Sequence, residues 1–139
     1  MLDNARKIPC EMLFNSKDPK YAENIRLYQG CSTVAATRGG RIFLGWYAGG
    51  TREPHMDNYN VLVKSDDGGK SFGEPILIIP SNKETLVHAL DIQLWVSPKN
   101  ELWVIWTQNN VEISTDGVRP EGLSPSCPWA LPPSDWCRR

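Results

Sequence analysis

The chain of 139 residues lacks both an excess of charge of one sign and a long hydrophobic run. Fifteen lysines and arginines against sixteen aspartates and glutamates give a net charge of −1. Because no basic excess is available to neutralise phosphates, we expect no nucleic-acid partner. The longest apolar run, residues 75–80, is far below the roughly 20 residues of a membrane span, so no membrane partner is expected.

Cysteine pairs at metal-binding spacing are also lacking, and the chain has only two histidines. The sequence therefore predicts no metal site and no cofactor. The first residues carry Asp3 and no apolar stretch, so they do not form a secretory signal, and a cytoplasmic location is expected. Free thiols are the favoured interpretation and a disulfide framework is the alternative for the four cysteines, Cys10, Cys31, Cys127 and Cys137.

The sequence does contain short runs rich in aromatic and β-branched residues, separated by glycine- and proline-containing turns. This pattern predicts an all-β fold. We expect an N-terminal arm over residues 1–27, a β domain over residues 28–110 and a proline-rich irregular or truncated tail over residues 111–139. The strands are predicted at residues 31–36, 41–48, 60–64, 76–79, 92–96 and 102–107. Tryptophans on these strands are predicted to fill space between sheets, with sugar stacking as the alternative.

An internal repeat links two of the predicted hairpins. The segment CSTVAATRGGRIFLGWYAG, residues 31–49, aligns without a gap on DIQLWVSPKNELWVIWTQN, residues 91–109, at an offset of 60 residues. Apolar positions coincide, and Trp46 falls on Trp106. Two hairpins can share such spacing by chance, but repeated sheets of a β-propeller are the favoured interpretation.

The octapeptide SDDGGKSF, residues 65–72, matches the pattern S-x-D-x-G-x-[ST]-[FW], known as the Asp box. Its aspartate is expected to accept hydrogen bonds from its own turn, and its fixed glycine, Gly69, is expected to take a positive φ. The terminal aromatic residue is expected to anchor the turn in the apolar layer. We therefore assign a structural role to the residues at the fixed positions, Ser65, Asp67, Gly69, Ser71 and Phe72.

These motifs together resemble the sialidase superfamily of six-bladed β-propellers with Asp boxes. The resemblance covers residues 28–110 and implies a partial propeller, comprising the first blade and part of the second. It also implies hydrolysis of a terminal glycosidic bond, in which an aspartate acts as acid/base, a tyrosine–glutamate pair supplies the nucleophile and three arginines bind the substrate carboxylate. A non-catalytic carbohydrate-binding module or a structural propeller module is the alternative function.

Strand connections predict which residues share one end of the sheets. Connections within a blade alternate between its two ends, so the loop at residues 49–58 lies opposite the Asp box. On the resemblance, Asp57 in this loop is the predicted acid/base residue and Glu53 its substitute, although a solvated loop carboxylate is the alternative interpretation of Asp57. His88 is a further candidate contact to sugar hydroxyls. Substrate contacts are predicted at Arg52, Gln29, Arg26, His55, Asp91, Gln108 and Asn109.

The sequence departs from the family pattern at the start of the first strand. Gln29 stands where the family has the first arginine of its triad, and an amide binds a carboxylate more weakly than a guanidinium does. The other two arginines and the nucleophile pair are expected in later blades, and no tyrosine of this chain is assigned as the nucleophile. Two partners are therefore expected. One is a glycan substrate or ligand, and the other is a second copy of the chain, because an unpaired blade edge would permit self-association.

Overall fold

The computed structural model describes residues 10–53 and 55–110, with side chains described as far as residue 108. Within these residues the protein is built from antiparallel β-sheets, which confirms the all-β prediction. The predicted tail, residues 111–139, lies outside the described residues. The described residues form seven strands, in chain order β1 (Leu13–Phe14), β2 (Gln29–Ala36), β3 (Ile42–Ala48), β4 (Tyr59–Ser65), β5 (Leu77–Pro80), β6 (Val87–Val96) and β7 (Leu102–Asn110).

The first sheet has five strands in the order β1-β5-β4-β3-β2. Four of them follow one another along the chain as an antiparallel meander, which is the unit that the sequence predicts. The fifth, β1, comes from the N-terminal arm and pairs with the outer strand β5, with Leu13 opposite Ile78. The N-terminal arm is therefore part of the five-stranded sheet. It continues through two short 3-10 helices, Pro19–Tyr21 and Glu23–Ile25.

The second sheet is the hairpin β6–β7, and its first strand begins earlier than the sequence predicts. The polar segment at residues 81–88, which the sequence predicts to be a connector between strands, ends inside this strand, at Val87 and His88. Residues 87–90 are all buried, so they lack the alternation of apolar and polar residues that signals a half-exposed strand. That burial on both faces is the physical reason why the strand start was predicted five residues late.

The internal repeat is visible in the register of the two hairpins. β2 pairs with β3 and β6 with β7 so that Thr33 lies opposite Gly45 and Gln93 opposite Ile105, again 60 residues apart. Both first strands carry an irregularity at the same place, between Gly30 and Thr33 and between Leu90 and Gln93. The turns coincide as well, since Thr37 N bonds Arg41 O and Ser97 N bonds Glu101 O, each at 2.9 Å.

Two apolar clusters lie on opposite faces of the five-stranded sheet. The first joins the sheet to the hairpin β6–β7 and includes Phe43, Leu62 and Ile92. The second lies on the other face, where Tyr21 of the arm packs with Tyr59 and Val61. The tryptophans differ from the prediction of uniform packing: Trp46 and Trp106 are partly buried against these clusters, but Trp95 and Trp103 are exposed.

Candidate active site

One end of the five-stranded sheet carries the Asp box, where the carboxylate of Asp67 is held by its own turn. Ser65 Oγ and Ser71 Oγ each donate to it at 2.6 Å, and Ser71 N donates at 3.0 Å. These hydrogen bonds stabilise the charged form and hold the pKa of Asp67 below its usual range. Gly69 has a φ of 87°, as expected. Phe72 is 41% exposed, so it anchors the turn only partly.

The opposite end is formed by the loop at residues 49–58, and Asn58 organises this loop. Its side chain is buried, and its Nδ2 donates to Gly49 O at 2.5 Å and to Arg52 O at 3.1 Å. Its Oδ1 accepts from His55 N at 2.5 Å and from Tyr47 OH at 3.0 Å. Asn58 thereby ties the loop to strand β3, and the separation of this end from the Asp box agrees with the order of the connections.

Four side chains converge beside this loop, and we call them the rim cluster: Tyr28, Cys31, Glu53 and Asp91. The hydroxyl of Tyr28 donates to Glu53 Oε2 at 2.5 Å. One potential ligand atom from each of Cys31, Glu53 and Asp91 lies within 4.8 Å of the others. The cluster therefore combines a phenol, a thiol and two carboxyl groups within a few ångströms.

The two strand irregularities position half of the rim cluster. Cys31 and Asp91 occupy equivalent places in the repeat, and both have a left-handed backbone, with φ values of 52° and 50°. Residues other than glycine seldom adopt this conformation, which costs on the order of 1 kcal/mol and is concentrated at functional sites. β2 and β6 lie side by side, as the bond from Leu94 N to Thr33 Oγ1 shows, so the two irregular positions present their side chains to the same space.

Neighbouring groups and burial raise the pKa values of three members of the rim cluster, Tyr28, Cys31 and Asp91. Burial raises the pKa of Asp91, because the charged carboxylate loses hydration there. The hydrogen bond to Glu53 raises the pKa of Tyr28 to about 12. Burial, and to a lesser extent the two neighbouring carboxylates, raises the pKa of Cys31. At neutral pH the cluster therefore holds Tyr28 and Cys31 in their protonated forms, and burial makes Asp91 easier to protonate than an ordinary aspartate.

A buried aromatic pair supports the cluster from below. The ring of Tyr47 packs edge-on against Tyr28, with centroids 5.9 Å apart, and its other neighbour is His88 at 6.0 Å. Tyr47 is fully buried, and its burial raises its pKa. Burial lowers the pKa of His88 to about 4. Its Nε2 has no hydrogen-bond partner among the described residues.

Asp57, the predicted acid/base residue, lies apart from this cluster in a cleft of about 740 Å³. Its carboxylate forms an ion pair with Lys83 and lies 3.4 Å from His55 Nδ1. The Asp57 side chain is 51% exposed, so its carboxylate remains in contact with solvent. His55 Nδ1 also accepts from Asp57 N at 3.1 Å.

Most other predicted substrate contacts are engaged within the protein. Arg26 donates to Tyr21 O at 2.9 Å, and its guanidinium lies over the Trp46 ring. Gln29 accepts from the Trp46 indole at 2.9 Å. Gln108 accepts from Cys10 N and from Trp106 Nε1, each at 3.0 Å.

For the remaining two predicted contacts, Arg52 and Asn109, the interactions that can be described involve the backbone. Arg52 is exposed on the loop, and its backbone carbonyl accepts from Asn58. Asn109 pairs with His88 in the β6–β7 ladder. Of the predicted site residues, the structure brings Glu53 and Asp91 together in the rim cluster and His55 and Asp57 together in the cleft.

Tyr28 and Cys31 were not singled out by the sequence as site residues. The repeat alignment contains a signal for them, since Cys31 aligns with Asp91 and Tyr28 with His88. A thiolate and two carboxylates are also possible ligands for a divalent cation, a capacity that spacing along the chain does not reveal because three separate segments supply them. Cys10 and Cys31 are free thiols, as expected.

Comparison of the chain with protein-family models, curated proteins and solved structures finds no match. The fold and the site therefore have to be interpreted from their own geometry. The described residues contain no helix with the length and hydropathy that crossing a membrane requires.

Proposed function

We propose that the two sheets are consecutive blades of a sialidase-like β-propeller and that the rim cluster hydrolyses a terminal glycosidic bond. The observation that carries the chemistry is the meeting of Tyr28, Glu53 and Asp91 at the end opposite the Asp box. One carboxyl oxygen of Glu53 and one of Asp91 lie within 4.8 Å of each other, so both groups can act at a single scissile bond. With Tyr28 as nucleophile, the cluster belongs to the tyrosine-nucleophile exception and not to the two-carboxylate arrangement of most retaining glycosidases.

The blade interpretation is supported by the repeat. A propeller blade is a four-stranded antiparallel meander, and β2–β5 form one in consecutive order. The hairpin β6–β7 repeats the register, the irregularity and the turn of β2–β3 and packs on the face of the first sheet. In a propeller the first strand of each blade is innermost, so β2 and β6 would line the central axis with Cys31 and Asp91.

The protonation states of the cluster define a two-step reaction. Asp91, whose raised pKa favours the protonated form, gives its proton to the leaving oxygen as the anomeric carbon–oxygen bond breaks. The Tyr28 oxygen bonds to the anomeric carbon, and Glu53 takes the phenolic proton. In the second step, water displaces Tyr28 with Asp91 as the base, and the tyrosyl oxygen recovers its proton from Glu53.

Turnover of fluorogenic aryl glycosides, including a sialoside, tests this function. Asp91→Asn, Glu53→Gln and Tyr28→Phe should each lower kcat/KM by about 100-fold or more, because each removes a proton-transfer or nucleophilic group. Asp66→Asn is the matched control, since Asp66 is an exposed carboxylate at the Asp-box end and pairs with Lys64. Loss of turnover in Asp57→Asn with full activity in Asp91→Asn would instead assign the acid/base role to Asp57.

A non-catalytic glycan-binding role is the alternative, and the cleft at Asp57 favours it. This cleft combines apolar Ile25 and Leu27 with polar His55, Asp57 and Lys83, a mixture that suits a sugar face and its hydroxyls. The wild-type protein would then bind a glycan without turning it over. Lys83→Ala would weaken that binding, and Glu53→Gln would leave it unchanged.

A further inference from the structure

The hairpin β6–β7 leaves one apolar face uncovered in the described part of the chain, and we call it the tryptophan face: Gln93, Trp95, Trp103 and Ile105. Trp95, Trp103 and Ile105 are 52%, 53% and 53% exposed. The two indole rings lie opposite each other across the strands, with centroids 6.1 Å apart. Clustered exposed side chains of this size mark an interaction surface rather than ordinary scattered surface residues.

The repeat identifies what covers the equivalent face of the first hairpin. At an offset of 60 residues, the tryptophan face corresponds to Thr33, Ala35, Phe43 and Gly45. Phe43 and Gly45 are buried beneath β6–β7, and a Cβ on Gly45 would meet the Ile92 side chain at 3.3 Å. Leu94 N donates to Thr33 Oγ1 across this interface at 3.3 Å.

The covering surface of β6–β7 also has its counterpart on the first hairpin. Leu94, Leu102, Val104 and Trp106 pack inward, and they correspond to the residues that we call the valine face, Val34, Ile42, Leu44 and Trp46. Val34 is 64% exposed, and the other three are only partly buried. The valine face therefore resembles, position by position, the inward surface of β6–β7, which already covers the first-hairpin counterpart of the tryptophan face.

We propose that a second copy of this chain docks its valine face onto the tryptophan face, head to tail. The argument is continuity with the interface inside the chain, where surfaces of matching residue type already pack. The residues of the two faces are themselves uncharged, although the Arg26 guanidinium lies over the Trp46 ring of the valine face. Gln93 offers an amide oxygen where Thr33 offers a hydroxyl oxygen. The proposal rests on the repeat and not on the proposed hydrolysis. The two faces differ, so the contact is heterologous and each copy offers both halves of it.

One contact of the internal interface cannot be repeated between copies. Arg38 of the first turn donates to Pro98 O at 2.8 Å in the second, and Arg38 N donates to Asn100 Oδ1 at 2.9 Å. The residue equivalent to Arg38 in the second hairpin is Pro98, which has neither a guanidinium nor a backbone N–H. Association between copies should therefore be weaker than the internal packing and should depend on protein concentration.

Sedimentation equilibrium of the full chain tests the proposal through a pair of variants. Wild type should associate as its concentration rises, and Val34→Glu and Trp103→Glu should each be monomeric. An equimolar mixture of the two variants should form a heterodimer and nothing larger, because it contains one intact pair of faces. Leu86→Glu is the control, since Leu86 is 43% exposed outside both faces, and it should associate like wild type.

Each contrary result assigns the tryptophan face differently and overturns the proposal. Association of Val34→Glu at wild-type strength, with no rescue in the mixture, would mean that tryptophan faces pair with each other. If the wild type is monomeric at every concentration, a second copy does not bind the tryptophan face, and its partner would be residues 111–139 or a different protein. Rescue in the mixture also requires that both variants are folded, which circular dichroism of each one checks separately.

Discussion

The two ends of the five-stranded sheet use acidic residues in opposite ways. At the Asp-box end, Asp66 and Asp67 are exposed, and their pKa values are lowered. Asp66 pairs with Lys64 and Arg41, and Asp67 accepts hydrogen bonds from within the Asp box. At the loop end, Glu53 and Asp91 come from distant segments and crowd together, and burial raises the pKa of Asp91. The first arrangement stabilises a turn, whereas the second crowds carboxyl groups together, as the proposed proton transfer requires.

The largest expected effect that separates the two ends comes from adding a methyl group to a glycine at each. Gly49 at the loop end and Gly68 in the Asp box both have positive φ values, of 91° and 74°. A Cβ on Gly49 would collide with Asp57 O and the Tyr59 ring, whereas a Cβ on Gly68 meets nothing within 4 Å. Gly49→Ala should lower the free energy of unfolding by about 4 kcal/mol and Gly68→Ala by roughly 1 kcal/mol. Urea denaturation measures both, and equal losses would contradict the crowding of the loop end.

A smaller loss is expected when the organiser of the loop is removed. Asn58→Ala deletes an amide that makes four hydrogen bonds, including those to the carbonyls of Gly49 and Arg52 and the one from the buried Tyr47 OH. We expect the free energy of unfolding to fall by about 3 kcal/mol. Ser71→Ala in the exposed Asp box is the matched control and should cost less. The comparison fails if urea denaturation gives the same loss for both variants.

The buried His88 should make stability depend on pH at the loop end. Its pKa is about 4 in the folded protein and about 6.5 when unfolded, so the unfolded chain binds more protons between these values. Stability is complete above pH 6.5 and should fall by about 2 kcal/mol between pH 7 and pH 5. His88→Gln should flatten this slope in urea denaturation measured across that range. An unchanged slope would show that other groups cause the dependence.

Sequence predicted the parts of the molecule that are local. The Asp box could be predicted in detail because the partners of Asp67 lie within four residues of it. Six strands and the repeat could be predicted because alternation and turn chemistry repeat at a fixed offset. The early start of β6 could not, because residues 87–90 are buried on both faces and show no alternation.

The candidate site was predicted only in part because its groups come from separate segments. The connection order indicated that the loop at residues 49–58 and the starts of β2 and β6 share one end, and Glu53 and Asp91 do meet there. It could not show that Arg26, Gln29 and Gln108 are engaged in internal hydrogen bonds. Nor could it show the bond from Tyr28 to Glu53, which depends on the course of the loop.

A carbon-detected NMR titration of the side-chain carboxyl groups compares the two ends in one experiment. The ordinary aspartate pKa is about 3.9. We expect Asp91 to titrate above that value and Asp67 below it, in the same sample. Asp91 titrating at or below the ordinary value, or Asp67 above it, would contradict the division of the acidic residues between a crowded loop end and a turn-stabilising Asp-box end.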